Sequence, residues 1–413
     1  MELERTLDTH EVAMSIREPA CSVQYEGTLD QAALEEAFRS LCDRALVLRS
    51  CIQDDGHAHK LCIPHEHYPD FVQVAGSYDN LLRIIRYPNR IRHGVCRLIV
   101  VEAGNTGHVA LQANHAVMDA RSILGIFLEL WRAYTNLVEF GYPPLGPLWG
   151  LPRAPSALLD KNPSVARRLL GDGLNPFIEE TTNLLAHSEF GDPPYQRRLI
   201  MTAERTSFLI AAARNMKVSV HSLVCGSILD SSRAIIPSSG TTLMTCCSVV
   251  DLRSLFDPPI SPMEVGDFSL PHCVDVDIAM GESPIDLAKK IKANLDEFKS
   301  GRSALNVSPN VDVNEDRFPH LSRISVSNVG VVPHFPSPNG LMFVDFQFVS
   351  HIVDQLPIMR PTAGYGVYTF DGKLIVDAVF PRHVFSPVDV DSVTTRCDHN
   401  LERIYGNVAI DLE

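Results

Sequence analysis

The sequence predicts an α/β protein with mixed sheets in two halves. Three observations carry this. Apolar runs of strand length alternate with amphipathic helical stripes throughout the 413 residues. A Pro- and Gly-rich stretch from Phe140 to Tyr195, "GYPPLGPLWGLPRAPSALLDKNPS" closing with "FGDPPYQ", interrupts that alternation once. The alternation then resumes, so the boundaries are placed at 1–150, a crossover at 151–195, and 196–413.

In order along the chain, residues 12–26 read as extended segments. Leu29, Ala32, Leu34, Phe38 and Leu41 mark a helix that runs into the β-branched "VLRSCI". "HKLCIPH" and "CRLIVVEA" are strands, and the turn "GNTG" joins the latter to "HVALQA". A helix from about Arg121 to Tyr134 presents Ile123, Leu124, Phe127, Leu130, Trp131 and Tyr134 on one face, with Asp119 or Ser122 placed to cap it. In the second half "AERTSFLIAAARNMKVSVHSLVCGSILDSSRAI" reads as two helices around "NMKVSV". Strands follow at "TLMTCCSVVDLR", "HCVDVDIAM", "RISVSNVGVV", "LMFVDFQFV", "YGVYTF" and "KLIVDAVF". "SPIDLAKKIKANLDEFKSG" has helix start and stop chemistry, and "DVDSVTTRCDHNLERIY" closes the chain as a helix.

Fifty acidic against 36 basic residues give a net charge of −14, which excludes the basic footprint of a nucleic-acid binder and adsorption to anionic membranes. No apolar run approaches the ~20 residues of a membrane span. The charged N-terminus "MELERTLDTHEVAMSIREP" lacks the apolar centre of a signal peptide, so a cytoplasmic location with reduced thiols is expected for the ten cysteines.

Chemistry concentrates where the run "LQA" hands over to a helix at Asn114-His115-Ala116-Val117-Met118-Asp119-Ala120. An imidazole at a strand end can point into a cleft and work as a base near neutral pH. This stretch resembles the HHxxxDG motif of the condensation-domain and chloramphenicol-acetyltransferase-like superfamily, with Asn114 in place of the first His and Ala120 in place of the Gly. Further segments follow in family order: "DRALVLRS" with Arg44 and Arg49, "VVDLRSLFDPP" with Asp251 and Arg253, "VGDFSLP" with Asp267 where Asn is common, "SVSNVG" and "YTFDGKLIVDAVF". The style is that of stand-alone polyketide-associated acyltransferases and alcohol acetyltransferases.

The resemblance implies two chloramphenicol-acetyltransferase-like halves forming a V-shaped pseudo-dimer, with His115 near the middle of a central tunnel. It implies acyl transfer from acyl-CoA or a phosphopantetheinyl carrier-protein thioester to a hydroxyl, rather than an amine, of a small specialised metabolite. The thioester is a co-substrate, no cofactor is held permanently, and a monomer is expected. His115 becomes the general base. Asp119 becomes a structural ion-pair member, with Arg49 as first and Arg253 as second candidate partner and Asn114 supporting the loop. Ser325, Ser327 and Asn328 are candidate oxyanion or substrate contacts. The two departures at Asn114 and Ala120 leave open intramolecular cyclisation without a thioester, or a silent carrier-binding module.

Other clusters read more plainly. His57, His59, Cys62, His65 and His67 are zinc ligands by type, but their spacing suits a solvated strand face, and no metal is expected. Arg83, Arg86, Arg90, Arg92 and Arg97 could meet a CoA phosphate or an acidic carrier, though a solvated rim is the simpler reading. Cys225 and Ser227 in "VCGSIL" lack the GxSxG spacing and read as core.

Overall fold

A computed structural model describes residues 4–54, 56, 58–86, 94–143, 146, 150–170, 193–262, 264–303, 321–349 and 362–410. In chain order the elements are β1 (Glu4–Thr6), α1 (Thr9–Met14), β2 (Ala20–Gly27), α2 (Gln31–Arg44), a 3-10 turn Leu46–Arg49, β3 (Cys51–Asp54), β4 (His59–Cys62), β5 (Asp70–Ala75), α3 (Tyr78–Arg86), β6 (Cys96–Ala103), β7 (Thr106–Ala113), α4 (Ala120–Phe140), α5 (Pro155–Asp160) and α6 (Pro163–Leu170). They continue with β8 (Tyr195–Ile200), α7 (Ala203–Asn215), α8 (Val220–Ala234), β9 (Thr242–Asp251), β10 (Ser269–Ile278), α9 (Pro284–Lys299), β11 (Arg323–Val331), β12 (Leu341–Val349), β13 (Ala363–Phe370), β14 (Lys373–Phe380) and α10 (Pro387–Ile410). These form two compact units. The first is Met1–Lys161 with Asp257–Phe268 and Pro333–His351, and the second is Asn162–Phe256 with Ser269–Val332 and Ile352–Glu413.

The first unit holds a five-stranded sheet, β12-β2-β7-β6-β5, and a small sheet β1-β4-β3. The expected "GNTG" turn is a tight one. Ala103 pairs with Thr106, and Gly104 takes φ +67°, a left-handed conformation open to glycine at little cost. Antiparallel register then places Cys96 opposite Ala113, so β7 ends where β6 begins and hands over directly to Asn114 and His115. β2 pairs with β7 on the other side and with β12 beyond it. Gly27 ends β2 at φ +110°, where a Cβ would lie 1.9 Å from the Gly340 carbonyl oxygen. The chain can make that approach only without a side chain.

Helix α4 runs six residues further than the sequence stripe suggested, ending on Gly141 at φ 80°. Its buried face includes Ile123, Leu124, Phe127, Leu130, Trp131 and Tyr134. Trp131 meets Phe343 of β12 at 4.5 Å between ring centroids, and Phe127 meets Phe335 at 5.3 Å. Each such side chain contributes roughly 1.5–3 kcal/mol by leaving water, which fixes the helix whose first residues carry the motif. α3 covers the other part of the sheet through Leu81, Leu82 and Ile85, packed with Ile99, Val101 and Ala110.

The second unit is a six-stranded sheet, β10-β9-β11-β13-β14-β8. Within it α8 packs closely on α9. At Gly226 a Cβ would fall 2.2 Å from the Pro284 carbonyl oxygen, and Cys225 and Ser227 beside it are fully buried. The expectation of reduced thiols needs one correction. β9 and β10 place Cys247 directly opposite Cys273, and the two form a disulfide, while eight cysteines remain free. Among the described residues no helix is long and apolar enough to cross a membrane.

Candidate active site

Each residue of the handover loop is fixed by backbone hydrogen bonds before any side-chain chemistry begins. The Asn114 N–H donates to the Val95 carbonyl at 2.7 Å, and the His115 N–H donates to the Arg17 carbonyl at 2.8 Å. The Asn114 amide is a clamp. Its Nδ2 donates to the Ser15 carbonyl at 2.7 Å and its Oδ1 accepts from the Ala116 N–H at 3.0 Å. Ala120 is simply the first residue of α4. Among the described residues only Lys217 and Asp371 combine a side chain with positive φ, so position 120 has no conformational need for glycine.

Asp119 caps α4. Its Oδ1 accepts from the Ser122 N–H at 2.8 Å, as an N-cap carboxylate should. Its second oxygen reaches 149 residues along the chain and accepts from the Phe268 N–H at 3.0 Å. The Asp119 N–H and the Ser122 hydroxyl both donate to the Gly266 carbonyl, at 3.1 and 2.9 Å. The head of α4 therefore grips Gly266 and Phe268, and Asp267 is held between them.

Asp267 faces the motif histidine. Its side chain is fully buried, and its Oδ2 lies 3.1 Å from His115 Nδ1 and 3.0 Å from His10 Nε2. Burial alone would raise the Asp267 pKa, but the two imidazoles outweigh it and hold the carboxyl well below its ordinary range. An ionised carboxylate has no proton to give, so both facing ring nitrogens donate. That fixes the neutral His115 as the Nδ1–H tautomer and leaves the Nε2 lone pair unprotonated. Both histidine side chains are 20% exposed.

The other anticipated residues fall elsewhere. Arg49 is not the partner of Asp119. The 3-10 turn directs it to the carbonyls of His67 at 3.0 Å and His65 at 2.9 Å, to Asp43 at 3.3 Å, and over the Tyr68 ring. Arg253 opens a 3-10 turn in the second unit and binds Asp251 at 3.2 Å. Ser325, Ser327 and Asn328 lie on β11 of the second unit, with Asn328 Oδ1 accepting from the Gly330 N–H at 2.9 Å across a bulge. His65 is exposed, and His57 lies outside the described residues, among which no group of three or more His, Cys, Asp or Glu converges as metal ligands. Arg97 is no rim residue. It is buried and donates to Gln112 Oε1 at 2.8 Å and to the Ile84 carbonyl. Arg83 is exposed, while Arg90, Arg92 and the Arg86 side chain lie outside the described residues.

Sequence reasoning noted Asp267 as a departure from Asn but gave it no role, and it passed over His10. His10 had a local signal. Asp8 and Glu11 form a capping box around α1, and "DTHE" is its sequence signature.

Glu18, one residue past Arg17, is 6% exposed and sits near Arg97, its carboxylate 3.5 Å from Gln112 Nε2. Burial pushes its pKa from 4.5 up to about 7, with Arg97 only partly opposing. The ionised form is therefore the costly one. The stability tied to this group is fully present below its unfolded pKa and is lost as pH rises through about 7. Glu18→Gln should stabilise the protein by up to ~3 kcal/mol at pH 8 and by nothing below pH ~4.5. Thermal unfolding at the two pH values checks this, and an equal gain at both would refute it.

Residues 191–379 match the family described as phthiocerol/phthiodiolone dimycocerosyl transferase C-terminus. No curated protein matches the sequence. Among solved structures, the chain is similar to polyketide synthase associated protein 5 from Mycobacterium tuberculosis, at 19% identity and TM-score 0.72 over 97% of this chain and 98% of that one. It is similar to the epimerization domain from the third module of tyrocidine synthetase B, at 14% identity and TM-score 0.67 over 98% of both chains. It also resembles the first condensation domain of the CDA synthetase, at 14% identity and TM-score 0.66 over 98% of this chain and 96% of that one. At these identities the structural likeness is one of fold. The fold is mixed α/β with two chloramphenicol-acetyltransferase-like halves, as the motif order had implied.

Proposed function

For a chain with the fold of the condensation-domain-like acyltransferase superfamily, we propose acyl transfer from a thioester to a hydroxyl, in preference to an amine, of a small specialised metabolite. The donor is acyl-CoA or a carrier-bound phosphopantetheinyl thioester. The observation that carries this reading is the orientation of His115. Its Nδ1–H is committed to a buried carboxylate, so Nε2 is free to take a proton.

A neutral alcohol attacks a thioester carbonyl slowly because its proton must leave as the C–O bond forms. His115 Nε2 removes that proton, and the tetrahedral intermediate forms directly between donor and acceptor. When the C–S bond breaks, the imidazolium returns the proton to the departing thiolate. One ester and one thiol result, with no acyl-enzyme. Asp267 stabilises the transient imidazolium because its negative charge is already in place and shielded from water. Asn114 and Ala120 carry structural tasks in the loop and take nothing from the base, which favours this reading over intramolecular cyclisation or a silent carrier-binding module.

The test is incubation with a panel of acyl-CoA esters and acyl-loaded carrier protein, each with hydroxyl and amine acceptors, following free thiol and product mass. Thiol release that depends on the acceptor is the expected result. Product formed without any thioester would overturn the proposal.

A further inference from the structure

We propose that His10 is a positioning residue that shares Asp267 with His115, so that a proton on either imidazole disfavours a proton on the other. The inference rests on the acyl-transfer reading for its kinetic consequence, but not for its geometry.

Both rings meet the same oxygen atom, Oδ2, at 3.0 and 3.1 Å. Their facing nitrogens are therefore no more than about 6 Å apart, close enough for like charges to interact across a buried carboxylate. A carboxylate oxygen can accept from two N–H groups, yet it carries a single negative charge to be shared between them. The first imidazolium to form gains a full ion pair. The second meets a carboxylate already neutralised and a positive neighbour besides.

His10 is held firmly for this task. Asp8 Oδ1 accepts from the Glu11 N–H at 2.9 Å, and Glu11 Oε2 accepts from the Asp8 N–H at 2.9 Å. Arg5 locks Glu11 with two bonds, at 2.7 and 2.5 Å, and ties the start of α1 to the Pro152 carbonyl at 2.6 Å. Ser156 donates its N–H to the other Asp8 oxygen at 2.9 Å. The charged groups around the pair are Asp8, Glu11 and Arg5 on the His10 side and Arg17 near Asp267.

Burial would lower the His10 pKa, but Asp267, with Asp8 and Glu11, more than offsets this and raises it. A protonated His10 draws on the same Asp267 charge that a protonated His115 would use.

The rings can be followed directly by proton–carbon NMR titration of the full-length protein. In the wild type, each ring should sense the other's titration as a second step. Independent single-site curves for both would overturn the coupling without any variant being made. His10→Gln keeps an amide donor but cannot titrate. It should move the His115 curve and the acid limb of kcat/KM for thiol release upward together, by roughly one pH unit. A His115 curve identical in wild type and H10Q would refute the proposal. If H115A turned over thioesters at the wild-type rate, the acyl-transfer reading would fail while the NMR coupling stood, so the two failures are distinguishable.

Discussion

Replacing His115 by alanine is expected to lower thioester-dependent acyl transfer by about 10³-fold, within the range that a positioned general base contributes. The far-ultraviolet circular dichroism spectrum should stay native. The side chain is one-fifth exposed, and the loop beneath it is held by main-chain bonds from Asn114 and His115 that alanine also makes. Asp267→Asn should slow transfer by about 10²-fold with His115 still present. An amide can orient the ring but brings no charge to stabilise the imidazolium. Turnover that survives His115→Ala unchanged would remove the general base from the mechanism.

Asp119→Ala is expected to destabilise the fold by about 3 kcal/mol. Loss of the α4 cap costs ~1 kcal/mol. The Phe268 N–H, left buried without its charged acceptor, costs a further ~1–3 kcal/mol. The same change releases Phe268 and loosens its neighbour Asp267, so activity should fall even where the variant is fully folded. Asp119→Asn keeps one oxygen for the cap and should lose about half as much stability. Denaturant unfolding of the two variants tests whether hydrogen bonding to Ser122 and Phe268 is what Asp119 supplies. Equal losses in both would show that its charge alone matters.

The hairpin of β6 and β7, helix α4 and its cap were legible because each rests on local chemistry: a Gly-Asn turn, a helical apolar stripe and an N-cap carboxylate. The loop carrying His115 and Asp119 was placed at the end of a strand and the start of a helix for the same reason. α1 went unread at its start, and its last three residues fell in the 12–26 stretch read as extended, since six residues give too little periodicity to register as a helix. β8, "YQRRLI", carries two adjacent arginines and no alternation, so it went unread, as did β5 and α3. Arg49 illustrates a different limit. Its place in the family pattern suggested a partner, but the direction of a side chain leaving a 3-10 turn is set by local backbone geometry, which here aims it at Asp43 and two carbonyls. Asp267 meets His115 across 152 residues, and no local pattern encodes a contact of that range.

The first unit takes β12 and the Asp257–Phe268 segment from far downstream of its own N-terminal 161 residues. During synthesis, β2 emerges from the ribosome early but waits for its partner β12 until roughly 320 further residues have been made. At about 5–20 residues per second that delay is about 16 to 64 seconds. Throughout it the nascent sheet presents an unsatisfied edge, and for the first part of it, until residue 267 is made, the imidazole of the motif lacks its carboxylate. The first unit is thus completed late, and a truncated translation product ending near residue 161, without β12 and Asp267, is expected to be aggregation-prone.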